Sequence, residues 1–280
     1  MTVSYQDAPT TTVDVGGIRF TYRQVGTGGG IPLVLLHHLT AVLDDWDPAV
    51  IDGLAADRQV IAFDNRGVGG SGGTTPDSVE AMADDAVAFL AALGLDTVDL
   101  LGFSLGGMVA QVIAQQRPDL VRRLVLAGTG PAGGKGGASA GAVLQTAMQQ
   151  AAAQGKHPKH FLFFSPTPTS QAAADAFLGR LDGRTSQDRD APVSNESIGA
   201  QLTALAKWEQ GTSPAGLATV AQPVLVVNGD EDIMLPTINS FELAQSLPNA
   251  QLSIYPDSGH GGIFQHHALF VQQTLEFLRH

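Results

Sequence analysis

The chain has 280 residues, 44% hydrophobic and 15% charged, enough apolar side chains for one large core and too few charges for a disordered chain. Its formal net charge of −12 argues against nucleic-acid binding, and the absence of cysteine excludes disulfides, thiolate metal sites and a cysteine nucleophile. No apolar run approaches the ~20 residues needed to span a bilayer, and the N-terminus lacks the basic start and apolar core of a secretory leader, so a cytoplasmic protein without membrane contact is expected.

The first elements lie around Gly16-Gly17. Two short alternating runs in "TTVDVGGIRFTYRQVG" predict an antiparallel hairpin at a sheet edge. "IPLVLLHH" (31–38) and "RQVIAFD" (58–64) follow as near-continuous apolar runs, the pattern of strands covered on both faces. The glycines of "FDNRGVGGSGG" do not have dinucleotide-binding spacing, and no Gly-Lys-Ser/Thr follows, so no nucleotide cofactor is implied. A helix is predicted over 77–93, with Pro76, Asp77 and Ser78 at its start and Gly94 at its end.

The next strand, "TVDLLGF" (97–103), runs directly into a helical pattern over 104–116, and Ser104 stands at the junction among Gly102, Gly106 and Gly107. Neither a strand nor a helix gains from so many glycines. Gly-x-Ser-x-Gly at a strand-to-helix corner lets the two elements approach closely around a strained serine, and the helix start adds partial positive charge near a developing oxyanion. The alternative is a tight turn with an incidental serine. A serine nucleophile needs a histidine base and a carboxylate to orient it, and with this motif both follow downstream.

"RRLVLAGTG" (122–130) is the last strand before a break in the rhythm. From about Pro131 to Thr219 no strand is predicted. "PAGGKGGASAGA", "AVLQTAMQQAAAQ", "HFLFFSPTPTS" and "QLTALAKWEQ" read as a helical insertion joined by Gly-rich loops. It is either a lid over the C-terminal sheet edge or an add-on that extends the core. The rhythm resumes with strands "QPVLVVNGD" (222–230) and "QLSIYPD" (251–257) and helices over 237–247 and 266–279. "DEDIMLP" follows the first of these strands and "DSGHGGIFQHH" the second, which puts an acid and a histidine on loops at the same sheet edge as Ser104. Alternating strands and helices make the fold class α/β, a mostly parallel twisted sheet with helices on both faces.

The ordered set "LLHHLTAVLDDWDP", "FDNRGVGGSGG", "GFSLGG", "GDEDIMLP" and "GHGGIF" resembles the α/β-hydrolase family over nearly the whole chain. The resemblance implies a core of 1–130 and 220–280 with a helical cap of 131–219. It implies Ser104 as nucleophile, Asp232 as the acid (in G-x-x-D-x-x-x-P, with Asp230 as rival) and His260 as the base. It also implies oxyanion donors at the backbone N–H groups of Leu39 and Leu105, and no cofactor. His38 stands where the family has glycine, in either a structural or a pocket role. His266 and His267 are expected at a helix start, His157 and His160 in the insertion, and His280 at the terminus. No metal is expected, because no ligand spacing such as H-E-x-x-H occurs.

The activity implied is hydrolysis of an ester, lactone or related small acyl compound, as in small bacterial esterases and haloperoxidase-like perhydrolases. Alternatives on the same scaffold are acyl transfer, perhydrolysis, cofactor-free oxygenation and non-catalytic ligand binding. Phe103, Trp46, Phe161, Phe163, Phe164 and Trp208 are candidates either for core packing or for an apolar pocket, with Phe103, Phe163 and Trp208 as substrate contacts.

Overall fold

The computed structural model describes residues 3–184, 189–211 and 214–279. Eight strands form one sheet: β1 (Thr11–Val15), β2 (Ile18–Val25), β3 (Leu33–Leu36), β4 (Val60–Phe63), β5 (Val98–Phe103), β6 (Val121–Ala127), β7 (Val224–Gly229) and β8 (Ala250–Tyr255). Their order is β1-β2-β4-β3-β5-β6-β7-β8. The hairpin β1–β2 is antiparallel and joins β4 antiparallel, while every pairing from β4 to β8 is parallel. All residues of β3, β4, β5 and β7 are buried, as their unbroken apolar sequences require of strands covered on both faces.

The helices are α1 (Pro48–Leu54), α2 (Val79–Ala92), α3 (Leu105–Gln116), α4 (Ala140–Gln154), α5 (Lys159–Leu162), α6 (Pro168–Leu181), α7 (Asn195–Gln210), α8 (Pro214–Leu217), α9 (Ile238–Ser246), α10 (Gly262–Gln265) and α11 (His267–Arg279). Side-chain caps set several starts: Asp47 accepts from the Ala49 N–H, Ser78 from Ala81, Thr167 from Ser170 and Ser194 from Ser197. Ser78 is thus the cap of α2 rather than part of it. Gly128, at φ 52°, ends β6 three residues earlier than the apolar pattern predicts. Among the described residues, the chain between β6 and β7 carries α4 to α8 and no strand, in agreement with the broken rhythm of the sequence.

Parallel strands bring their C-terminal ends to one edge of the sheet. Loops after β3, β5, β6, β7 and β8 therefore meet there, and this edge carries the site.

Candidate active site

The corner after β5 is as tight as its glycines imply. A Cβ on Gly106 would lie 2.1 Å from the Leu36 carbonyl oxygen, and one on Gly102 would lie 2.3 Å from that of Gly106. One on Gly107 would meet Thr129 at 2.6 Å. Only hydrogen fits at these positions, because α3 starts against β3 and the loop after β6. Ser104 has φ 57° and ψ −119°, a strained backbone that the surroundings enforce. Its N–H donates to the Ala127 carbonyl at 2.9 Å, and its carbonyl accepts the Thr129 hydroxyl at 2.8 Å.

Asp232 and His260 arrive on the loops after β7 and β8. His260 Nδ1 donates to Asp232 Oδ2 at 2.7 Å. Asp232 Oδ1 is held by the N–H groups of Met234 at 2.8 Å and Leu235 at 3.0 Å, so the carboxylate cannot turn away. Both side chains are buried. Asp230 is exposed and instead accepts the Ser258 N–H at 3.1 Å, tying the two loops together. Ser104 and His260 line the same cavity, of about 280 Å³. Among the described residues no hydrogen bond joins the Ser104 hydroxyl to His260, and neither the Leu39 nor the Leu105 N–H meets an acceptor. Leu105 begins α3, so its N–H is unpaired within the helix.

The cavity wall is largely apolar. Leu144 and Met148 come from α4, Leu162 from α5, Ile198 from α7, and Phe163 and Met234 from loops. His38, Leu39 and Thr40 supply the wall after β3. Burial pushes the His38 imidazole down to about 3, with the Lys159 ammonium acting in the same direction, so the ring is neutral at ordinary pH. Its Nδ1–H donates to the Leu39 carbonyl at 2.7 Å, and its ring lies edge-on to Phe103 and Phe163. Lys159 pairs with Asp45 and lies over the Phe163 and Phe177 rings. Burial works to raise the Asp45 carboxyl, but Lys159 and the other groups facing it bring it down to about 2. This ion pair adds charge to a largely apolar wall, and no local pattern in the sequence announces it because its members lie 114 residues apart.

Most other predicted residues fall elsewhere. Phe103 is fully buried behind His38 and His260, 4.9 Å from the latter ring, and is not on the cavity wall. Trp208 is likewise off the wall: its indole N–H donates to the Gly130 carbonyl at 3.1 Å. Trp46 packs against His37 and Phe264, and Phe164 against Phe177. His157 lines the cavity and accepts the Lys159 N–H through Nδ1, while His160 contacts Asp175. His266 and His267 donate to the carbonyls of Pro256 and Phe264, and His280 lies outside the described residues. No group of three or more His, Asp or Glu side chains suited to a metal occurs among the described residues. A larger groove of about 530 Å³ near Arg123 and Phe277 contains none of the groups above.

Residues 31–267 match the family model for the alpha/beta hydrolase fold. The chain belongs to the alpha/beta hydrolase family. Among solved structures, the hydrolase resembles an alpha/beta hydrolase fold protein from Chitinophaga pinensis, with 43% identity, TM-score 0.94 and 99% of each chain covered. It is 33% identical to the poly(3-hydroxyalkanoate) depolymerase of Ectopseudomonas oleovorans over 82% of this chain and 77% of that one. It is 29% identical to the 2-hydroxymuconate semialdehyde hydrolase of Pseudomonas sp. (strain CF600) over 97% and 96%. Among the described residues, no helix of the hydrolase is long and apolar enough to cross a membrane.

Proposed function

We propose that this hydrolase cleaves a small carboxylic ester or lactone through an acyl-enzyme on Ser104. The observation that carries the reading is convergence: a strained serine and the histidine of a buried His260–Asp232 pair at 2.7 Å border one cavity, near two N–H groups that lack acceptors among the described residues. A serine hydroxyl is a weak nucleophile until a base takes its proton. In the proposed reaction His260 Nε2 accepts that proton as the Ser104 oxygen attacks the acyl carbon. Asp232 keeps the proton on Nδ1 and stabilises the imidazolium that forms. The N–H groups of Leu39 and Leu105 hold the oxyanion. Return of the proton from His260 to the leaving alcohol collapses the intermediate to an acyl-enzyme. Water, activated by His260, then releases the acid and restores Ser104. The serine–histidine contact tightens when substrate excludes water, as catalytic hydrogen bonds commonly do.

A cavity of about 280 Å³ suits a small acyl compound, and its apolar wall suits a hydrocarbon acyl chain. Relatives named for depolymerising a poly(3-hydroxyalkanoate) and for hydrolysing 2-hydroxymuconate semialdehyde support hydrolytic chemistry. In this reading 131–219 is a cap over a core formed by 1–130 and 220–280, since α4, α5 and α7 supply cavity residues. The test is labelling with a fluorophosphonate, followed by an ester and lactone panel. Ser104→Ala is expected to remain folded, to lose labelling and to reduce turnover by roughly 10³-fold or more. Near wild-type turnover or labelling in that variant would refute the nucleophile assignment.

A further inference from the structure

His38, Leu39, Thr40 and Ala41 form a four-residue turn, closed by the Ala41 N–H donating to the His38 carbonyl at 3.3 Å. Thr40 has φ 62°, whereas Leu39 does not have a positive φ. That combination is type II, whose third position ordinarily takes glycine or asparagine. A β-branched threonine is strained there. Reversal of the Leu39–Thr40 peptide would give a type I turn and return Thr40 to negative φ.

Two side chains oppose that reversal by gripping the two ends of this one peptide. On one side His38 Nδ1–H donates to the Leu39 carbonyl at 2.7 Å. On the other, the Thr40 N–H donates to Gln201 Oε1 at 2.9 Å, across 161 residues of chain. Gln201 comes from α7, is wholly buried, and its Nε2 has no partner among the described residues. A buried amide that leaves its own donor unsatisfied carries a desolvation penalty, so its place at Thr40 calls for a reason. Strain enforced by surrounding groups at a reactive site points to function.

We propose that Gln201 is a positioning residue: from α7 it holds the Leu39–Thr40 peptide, and with it the turn that carries Leu39, in the orientation required for oxyanion binding. The same peptide sets the His38 ring in the cavity wall, so one hydrogen bond from the helical segment governs two parts of the wall. Reversal would swing the Leu39 carbonyl away from His38 toward Gln201, free the His38 ring, and move a peptide dipole beside the developing charge. The inference rests on the acyl-enzyme reading above.

The test uses the full chain and a short-chain aryl ester, with kcat and KM measured for Gln201→Met, Thr40→Gly and the double variant. Methionine keeps the approximate volume and removes the acceptor. Gln201→Met is expected to lower kcat about tenfold, less than loss of a whole oxyanion donor, with KM changed less than about threefold. Glycine accepts positive φ freely, so in the Thr40→Gly background the same substitution is expected to lower kcat by less than about threefold. Equal losses in both backgrounds, or an unchanged kcat in folded Gln201→Met, would overturn the proposal. Amide hydrogen exchange of the wild-type protein provides a readout without any variant: the Thr40 N–H is expected to be protected, and an unprotected one counts against Gln201 even if Gln201→Met fails to fold. Lack of ester turnover and of fluorophosphonate labelling in the wild type counts instead against the acyl-enzyme reading.

Discussion

His37 shows how the burial of one residue ties stability to pH. Both its ring nitrogens are buried without partners among the described residues, and the ring packs 5.4 Å from Trp46. Burial pushes its imidazole down to about 3, as it does for His38, against an ordinary value of 6.5. Between those values the unfolded chain holds protons on both histidines and the folded protein does not. Unfolding therefore takes up protons, and stability falls as pH drops from about 6.5 toward 3. Each histidine contributes up to about 1.4 kcal/mol per pH unit across that interval. His37→Phe, which sacrifices no hydrogen bond, is expected to flatten this acid limb. Urea unfolding at pH 7.5, 6 and 5 measures it, and slopes parallel to wild type would show that His37 does not hold its ring neutral.

At the scale of elements, the serine corner depends on contact between main chains rather than side chains. Gly106→Ala sets a Cβ against the carbonyls of Leu36 and His37, and neither strand nor helix can yield locally. The expected loss is about 3 kcal/mol, at or above the upper end of ordinary overpacking, because backbone must move. Gly179→Ala is the matched control: it lies exposed on α6 with nothing within 4 Å of its Cβ position. That change is expected to stabilise by about 0.5–1 kcal/mol, the usual gain on replacing a helical glycine. Denaturant midpoints for both variants check the contrast. Similar small effects at the two sites would mean that the corner is looser than its contacts imply.

For the molecule as a whole, the segment between β6 and β7 is bound to loops at the C-terminal edge of the sheet. The Phe163 carbonyl accepts the Gly261 N–H at 2.9 Å, next to His260, and Arg180 makes a bidentate pair with Asp47 at 2.8 and 2.6 Å. Thr167 and Ser170 reach Asp257 and Gln265 on the loop after β8 and on α10. Substrate selection is therefore expected from wall residues of this segment. Leu144→Phe should depress kcat/KM for long acyl chains more than for acetyl esters, read across a chain-length series; an equal loss at every length would remove Leu144 from the binding wall. Trp208→Ala should behave differently. Its indole holds Gly130 behind the wall, so the expectation is a stability loss of about 3–5 kcal/mol and a uniform fall across chain lengths. A change confined to long chains would return Trp208 to the pocket.

Most of the fold was legible because its rules are local. Continuous Val, Leu and Ile marked the buried strands, capping residues and glycines marked helix ends, and Gly102, Ser104 and Gly106 marked a corner where only small residues permit close approach. The downstream order of Asp232 and His260 was legible for a related reason: loops that follow parallel strands must emerge at one edge. Contacts between distant segments leave no such periodic trace. Aromatic character alone could not separate Phe163, on the cavity wall, from Trp208 and Phe103, behind it. Nor could sequence pair Lys159 with Asp45 or Gln201 with Thr40, since each partner is an ordinary polar residue in its own segment. The sequence by itself determined the α/β order and the motif-bearing residues, through patterns a few residues long. Only the tertiary structure decided which side chains face the cavity and which hold the turn after β3, because those depend on how the segment between β6 and β7 packs over the sheet edge.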